Sequence, residues 1–302
     1  MSEGPIVVLG VTGMLGHKMF QHLTGQFPNV LGTCRDLVTS ERFRNVSLLR
    51  DARILQGVEA ESLETLVRRL RPAWIVNCVG VIKQREAASE AVPSILINSL
   101  LPHRLAAAAA EWDGRVIHFS TDCVFSGRQG MYREEDMSDA TDLYGRSKFL
   151  GEVATANALT LRTSMIGREL AEFRSLLEWL LARRGGRVQG YRKAMWSGVT
   201  TNYLSSLVAR IMRLHPSLHG LYQVAAQPIS KYDLLCLIQR VYGLDIGVDA
   251  VDGEMCDRTL RGDRFVAATG IETPAWEQLI GDLHRDPAPY DEWRASQYAA
   301  VG

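Results

Sequence analysis

Short apolar runs alternate with helix-forming segments from Ile6 to Leu161, and this alternation confines the chain to one class of fold. Ile6 to Leu9 ends at a glycine and opens into a helical pattern from Met14 through Leu23. Val30 to Cys34, Trp74 to Val76, Val116 to Phe119 and Leu159 to Leu161 read as further strands. Helices are predicted from the apolar spacing of Leu63, Leu66, Val67 and Leu70, and over Ile95 to Ala110 and Asp142 to Asn157. Parallel strands need crossover connections, so the expectation is an α/β fold, a doubly wound parallel sheet covered on both faces. After Thr163 the alternation weakens. Helical patterns at Leu176 to Arg183, Leu204 to Leu214 and Tyr232 to Tyr242 surround one strand, Leu221 to Val224, and predict a smaller C-terminal α/β lobe built onto the first half.

Charge narrows the choice of partner. The 302 residues carry 34 basic and 34 acidic side chains, which argues against a nucleic-acid polymer as partner. With 23% charged and 46% apolar residues the chain is expected to fold. No apolar run reaches the ~18 residues of a membrane span. Met1 to Gly10 lacks the basic start and cleavage site of a secretion signal, so a cytoplasmic location is expected. The five cysteines include no Cys-x-x-Cys pair, the histidines no His-x-x-x-His pair, and no metal site is expected.

The first strand runs into Gly10-Val11-Thr12-Gly13-Met14-Leu15-Gly16. Glycines there let the backbone approach a pyrophosphate, the opening helix offers unpaired N–H groups, and the last glycine allows helix and strand to pack closely. A dinucleotide site is expected, with Gly10, Thr12, Gly13, Met14, Leu15 and Gly16 as its turn and Cys78, Val79 and Gly80, at the end of the Trp74 strand, as its neighbours. The residue closing the second strand distinguishes the cofactors. Arg35 suits a ribose 2′-phosphate and favours NADPH over NADH; Asp36, one place later, would reverse that preference.

Tyr144 and Lys148 are four residues apart, one turn apart on the same helix face. A neighbouring cation is expected to favour the phenolate and allow Tyr144 to exchange a proton with a carbonyl or carbinol oxygen. Upstream, the Val116 strand runs into Ser120-Thr121-Asp122, placing hydroxyls where open α/β sheets bind ligands. Thr121 is expected to serve the same substrate oxygen as Tyr144.

These segments, Ser120-Thr-Asp-Cys-Val-Phe-Ser-Gly127, Gly130-Met-Tyr-Arg-Glu-Glu-Asp136 and Asp142-Leu-Tyr-Gly-Arg-Ser-Lys-Phe-Leu-Gly-Glu152, resemble the extended short-chain dehydrogenase/reductases, and within them the dTDP-4-dehydrorhamnose reductase-like nucleotide-sugar reductases. Leu161-Arg-Thr-Ser164 and Ser197-Gly-Val-Thr-Thr201 resemble family segments too. The resemblance implies a Rossmann-type domain over 1–163 and a substrate lobe over 164–302, with about 197–225 returning to the first domain. It implies a Thr121, Tyr144, Lys148 triad, a nucleotide-diphosphate sugar as substrate, and is compatible with a homodimer. Ser120, Asp122, Cys123, Val124, Arg168, Trp196 and Arg258 are the expected substrate contacts, and Ser120, Tyr144 and Lys148 are shared with the cofactor. Cys123 stands where related 4,6-dehydratases carry a glutamate base, which disfavours dehydration. An epimerase or dehydratase and a non-catalytic regulatory subunit, as in methionine adenosyltransferase, are the alternatives within the same resemblance.

Other residues admit two readings. Asp51 either holds the adenine end of the cofactor or is a surface acid. Asn98 either positions a water or the lysine, or faces solvent. Arg183, Arg184, Arg187, Arg192 and Lys193 form either a solvated face or a clamp on phosphates, as do Arg258, Arg261 and Arg264. Tyr191 and Trp196 either stack on a base or sugar or belong to the core.

Overall fold

The computed structural model describes residues 4–35, 43, 45–81, 90–171, 173–253 and 255–293. Seven strands form one parallel sheet: β1 (Ile6–Leu9), β2 (Val30–Thr33), β3 (Ile54–Leu55), β4 (Trp74–Asn77), β5 (Arg115–Ser120), β6 (Ala158–Arg162) and β11 (Gly220–Gln223), in the order β11-β6-β5-β4-β1-β2-β3. The order reverses between β1 and β4, the topological switch point of a Rossmann-type doubly wound sheet. In register, Ile6 of β1 lies between Val30 of β2 and Trp74 of β4.

Both faces are buried, and the period-two alternation of the strands divides the core. Ile6, Val8, Trp74, Val76, Ile117 and Phe119 point to one side, against Met19, Phe20 and Leu23 of α1 (Met14–Thr24) and Leu207 and Ile211 of α7 (Thr201–Leu214). Val7, Leu9, Ile75 and Val116 point to the other, against Leu63 and Val67 of α2 (Leu63–Leu70) and Leu101, Leu105 and Ala109 of α4 (Leu101–Ala110). A strand buried on both faces has no polar alternation, which is why these strands read as plain apolar runs.

Two expected helices differ. The run expected over Ile95 to Ala110 begins earlier, at α3 (Ala91–Ser94), and passes through a π-helical turn, Ile95–Leu100, before α4. The helix expected over Asp142 to Asn157 is α5 (Leu143–Leu150). It stops at Gly151, where a β-carbon would stand 1.9 Å from the Asn98 carbonyl oxygen. The chain then turns to bring Glu152 onto Arg162, and a continued helix would not make that pair.

The second half adds short strands: β7 (Met165–Ile166) with β10 (Val199–Thr200), β8 (Arg187–Tyr191) with β13 (Gly247–Val251), and β9 (Ala194–Trp196) between β12 (Ile229–Ser230) and β14 (Cys256–Asp257). Helices α6 (Leu176–Leu181), α8 (Lys231–Tyr242), α9 (Asp263–Thr269) and α10 (Trp276–His284) accompany them. Strand β11 lies at the edge of the large sheet, beside β6, so the chain re-enters the first layer after leaving it.

At the end of β6 the Arg162 guanidinium is almost wholly buried and donates from Nε and Nη2 to the two oxygens of Glu152 at 2.8 and 2.7 Å. Ser120 Oγ donates to the same carboxylate at 2.6 Å. Removing the carboxylate strands a buried cation, which costs about 3–5 kcal/mol. Glu152→Ala should therefore lower the unfolding free energy from urea titration by that amount, whereas Glu111→Ala, whose pair with Arg68 is exposed, should leave it near wild type.

Candidate active site

The C-terminal ends of β1, β4 and β5 surround a cavity of about 420 Å³. Its first wall is the glycine turn. Gly10 has φ +82°, and its N–H and that of Val11 donate to the Thr33 carbonyl at 3.0 and 2.9 Å. A β-carbon on Gly16 would stand 2.0 Å from the Gly10 carbonyl oxygen, so any other residue there would force α1 off the turn. Gly10 and Gly16 thus shape the turn from beneath, while Thr12, Gly13, Met14 and Leu15 face the cavity. No side chain caps α1 at Gly13, and its first turn has no acidic residue. Its leading N–H groups are therefore directed at whatever occupies the cavity.

Cys78, Val79 and Gly80 form the second wall. Asn98, in the π turn, holds this segment: its Oδ1 accepts from Val81 N at 2.9 Å, and its Nδ2 donates to Val81 O at 3.0 Å and Ser147 Oγ at 3.2 Å. Asn98 is buried beneath the cavity, neither lining it nor facing solvent, and joins the β4 loop to the residue before Lys148. Asn77 Nδ2 and His118 Nδ1, 3.1 Å apart, tie the ends of β4 and β5 together in the same layer.

The third wall carries Thr121, Tyr144 and Lys148. Thr121 Oγ1 accepts from Cys123 N at 3.1 Å and donates to Asp122 Oδ1 at 3.1 Å, and it lines the same cavity as Tyr144. Asp142 caps α5 by accepting from Gly145 N at 2.7 Å, so Tyr144 lies in the first turn and Lys148 one turn on. Lys148 Nζ donates to the Phe119 carbonyl at 2.6 Å and lies 3.5 Å from His118 Nε2. Thr121, Tyr144, Lys148, Ser120, Asp122 and Cys123 all line the one cavity.

The electrostatics correct one expectation. Burial pushes the Tyr144 phenol above its ordinary value of 10, with the Cys123 and Asp122 side chains adding to the rise and only the Thr121 hydrogen bond opposing it. Burial is enough to hold Tyr144 as a neutral phenol near pH 7. Burial lowers Lys148 to about 8, against the pull of Glu152 and Cys78. It also pushes the Cys123 thiol up to about 12 and raises the Asp122 carboxyl.

Several expected residues lie elsewhere. Arg35 is exposed beyond β2 and does not itself line the cavity, and Asp36 lies outside the described residues. Asp51 is also outside the cavity; Arg53 donates to its carboxylate from Nε at 2.9 Å and Nη2 at 2.5 Å, and thereby holds it below the usual carboxylate range. Val124 is fully buried in a small cluster with Phe125, Tyr132 and Leu260. Arg168 does not reach the cavity, since Glu178 and Asp291 each accept from it at 2.7 Å. Arg258 donates to the Phe125 carbonyl at 2.8 Å from behind the cavity wall. Trp196 lines the cavity, with Trp276 stacked on it at 5.3 Å and Lys231 Nζ 4.2 Å from its ring centre. Arg187, Arg192 and Lys193 pair with Asp249 and Asp252 at the surface, so this basic run is a solvated face. Tyr191 is exposed, and Arg261 and Arg264 engage Asp263 and the Tyr222 ring.

Lys231, Glu169 and Arg174 line the cavity without having been anticipated. Among the described residues no cluster of three or more His, Cys, Asp or Glu side chains is placed to hold a metal ion, and no helix is long and apolar enough to cross a membrane.

A family model described as the RmlD substrate binding domain matches residues 4–254. The chain belongs to that family. Its relatives include a dTDP-4-keto-6-deoxy-D-glucose reductase of Streptomyces niveus, 27% identical and covering 90% of each chain. They also include the methionine adenosyltransferase 2 subunit beta of Xenopus tropicalis, 24% identical over 79% of this chain and 72% of its own. Among solved structures, the dTDP-4-dehydrorhamnose reductase of Bacillus anthracis in complex with NADP superposes with a TM-score of 0.76 at 19% identity, covering 94% of this chain and all of its own.

Residues beyond the family match strap the cavity walls together. His17 Nδ1 lies 2.8 Å from the Gly13 carbonyl oxygen and its Nε2 lies 2.9 Å from the Tyr290 hydroxyl. Lys18 pairs with Asp286 at 2.5 Å. Arg168 lies over the Tyr290 ring at 4.8 Å and shares Glu178 with the backbone N–H of Glu169, on the opposite wall. Burial lowers His17 from 6.5 to about 4. Unfolded chains take up this proton below about 6.5 and the folded protein only near 4, so unfolding becomes easier as pH falls through that interval. Urea midpoints measured on descent through it should fall more steeply for the wild type than for His17→Gln; equal slopes would contradict the buried neutral assignment.

Proposed function

We propose that the protein is an NADPH-dependent reductase of a nucleotide-activated 4-keto-6-deoxy sugar. The observation that carries this reading is the convergence of Thr121, Tyr144 and Lys148 with an uncapped helix N-terminus in one cavity. Residues 1–163 would hold the cofactor, and residues 164–302, apart from the return at about 197–225, would supply the substrate wall. The glycine turn fits a dinucleotide: a β-carbon at Gly16 would close the turn, and the open N–H groups of α1 suit a pyrophosphate. Arg35, exposed at the end of β2, is suited to a 2′-phosphate.

A bound reduced nicotinamide supplies the hydride. The chain's own groups do the rest. Thr121 orients the keto oxygen, and Tyr144, kept protonated by its buried setting, delivers a proton to it as the carbinol forms. Lys148 holds the cofactor ribose and stabilises the phenolate that Tyr144 becomes, a role suited to an ammonium fixed against the Phe119 carbonyl. The Cys123 thiol, pushed up to about 12, is neutral near pH 7 and makes a poor base, which weighs against a dehydratase.

A second reading, a cofactor-binding subunit of another enzyme, is favoured by the likeness to methionine adenosyltransferase 2 subunit beta. NADPH oxidation with dTDP-, UDP- and GDP-linked 4-keto-6-deoxy sugars separates the two. The reductase reading expects turnover with at least one, and Tyr144→Phe should lower kcat on the order of 10²–10⁴-fold while leaving the NADPH Kd unchanged. NADPH binding without turnover, together with a stoichiometric protein partner, would favour the subunit.

A further inference from the structure

Lys231 breaks two rules of local stability. It is the first residue of α8, after the Ser230 cap, where the helix dipole disfavours a cation. It is also largely withdrawn from water, and burial lowers it to about 8. Among the described residues no carboxylate lies within ion-pair distance of its ammonium. Broken local rules of this kind concentrate at functional sites.

Its surroundings say what it faces. Antiparallel pairing of β12 with β9 sets Ile229 opposite Trp196 and leaves Lys231 directly above the indole, 4.2 Å from the ring centre. Trp276 stacks on the same indole, so Trp196 serves as a platform and Lys231 as the group presented to the cavity. Asp122 lines the same cavity, and each charge favours the other's ionised form. Asp122 belongs to the turn that carries Thr121, and its Oδ1 is already engaged by the Thr121 hydroxyl. An ammonium and a carboxylate thus meet the same space from two elements, beside the proposed proton donor. The ammonium offers only donors and the carboxylate only acceptors, and a hydroxyl group needs one of each.

We propose that Lys231 and Asp122 form a donor and acceptor pair that reads the sugar hydroxyl adjacent to the reacting carbonyl, with the Trp196 ring holding the ammonium in place. This inference rests on the reductase reading and specifies its substrate as a keto sugar that retains a ring hydroxyl beside the carbonyl. Buried polar groups left unpaired by a deoxy analogue penalise it heavily, so the pair sets specificity as well as orientation.

The test compares wild type, Lys231→Met and Lys231→Arg on dTDP-4-keto-6-deoxyglucose and its 3-deoxy analogue. Lys231→Met keeps the aliphatic stem over Trp196 and should raise KM for the hydroxylated sugar roughly ten- to hundredfold. It should leave the NADPH Kd unchanged and abolish the preference over the 3-deoxy analogue, while Lys231→Arg recovers part of both. An unchanged KM and preference in Lys231→Met, with wild type active, overturns this inference and leaves the reductase reading intact. Wild-type protein that neither turns over nor binds any nucleotide keto sugar overturns both.

Discussion

The hydrogen bond from Lys148 to the Phe119 carbonyl is the contact on which the candidate site depends. It carries a cation into a layer otherwise closed to water, at the end of the strand that delivers Ser120 and Thr121. It fixes α5 against β5, and Tyr144 follows because it lies one turn earlier on the same helix. Asn98 reinforces the arrangement from beneath by bonding to both the β4 loop and Ser147. The glycine turn, the hydroxyl-bearing strand end and the Tyr144 phenol are thereby locked into one geometry by backbone carbonyls and one amide.

Dryness decides the chemistry of this arrangement. Burial raises Tyr144, Cys123 and Asp122 and lowers Lys148 and Lys231, so each of these groups in the cleft is biased toward its uncharged form. A neutral phenol suits proton donation in a reduction, and a neutral thiol at position 123 cannot take the part of a carboxylate base. Among the described residues no carboxylate is hydrogen-bonded to Lys148 or Lys231, so a polyanionic ligand would gain from both. The neutral sum over the whole chain does not bear on this, since surface pairs such as Arg187 with Asp249 cancel far from the cleft.

Much of this was legible in the sequence because it is local. The glycine turn, the strand that ends at Ser120 and the Tyr144 to Lys148 spacing are each set within a few residues, and the apolar runs of the central sheet are unambiguous because both faces are buried. What escaped depends on distant partners. Nothing near Arg168 signals that Glu178 and Asp291 occupy it. Strands of two or three residues such as β7, β12 and β14 are too short for a period. Lys231 did leave a trace, a cation directly after a serine cap, but its meaning required Trp196 to be beneath it.

The most direct measurement follows the hydrogen itself. NADPH carrying deuterium at both C4 positions of the nicotinamide, incubated with the protein and a dTDP-linked 4-keto-6-deoxy sugar, should yield a product with one deuterium on the new carbinol carbon by mass spectrometry. A product without deuterium, or no product from any nucleotide keto sugar, would contradict the account.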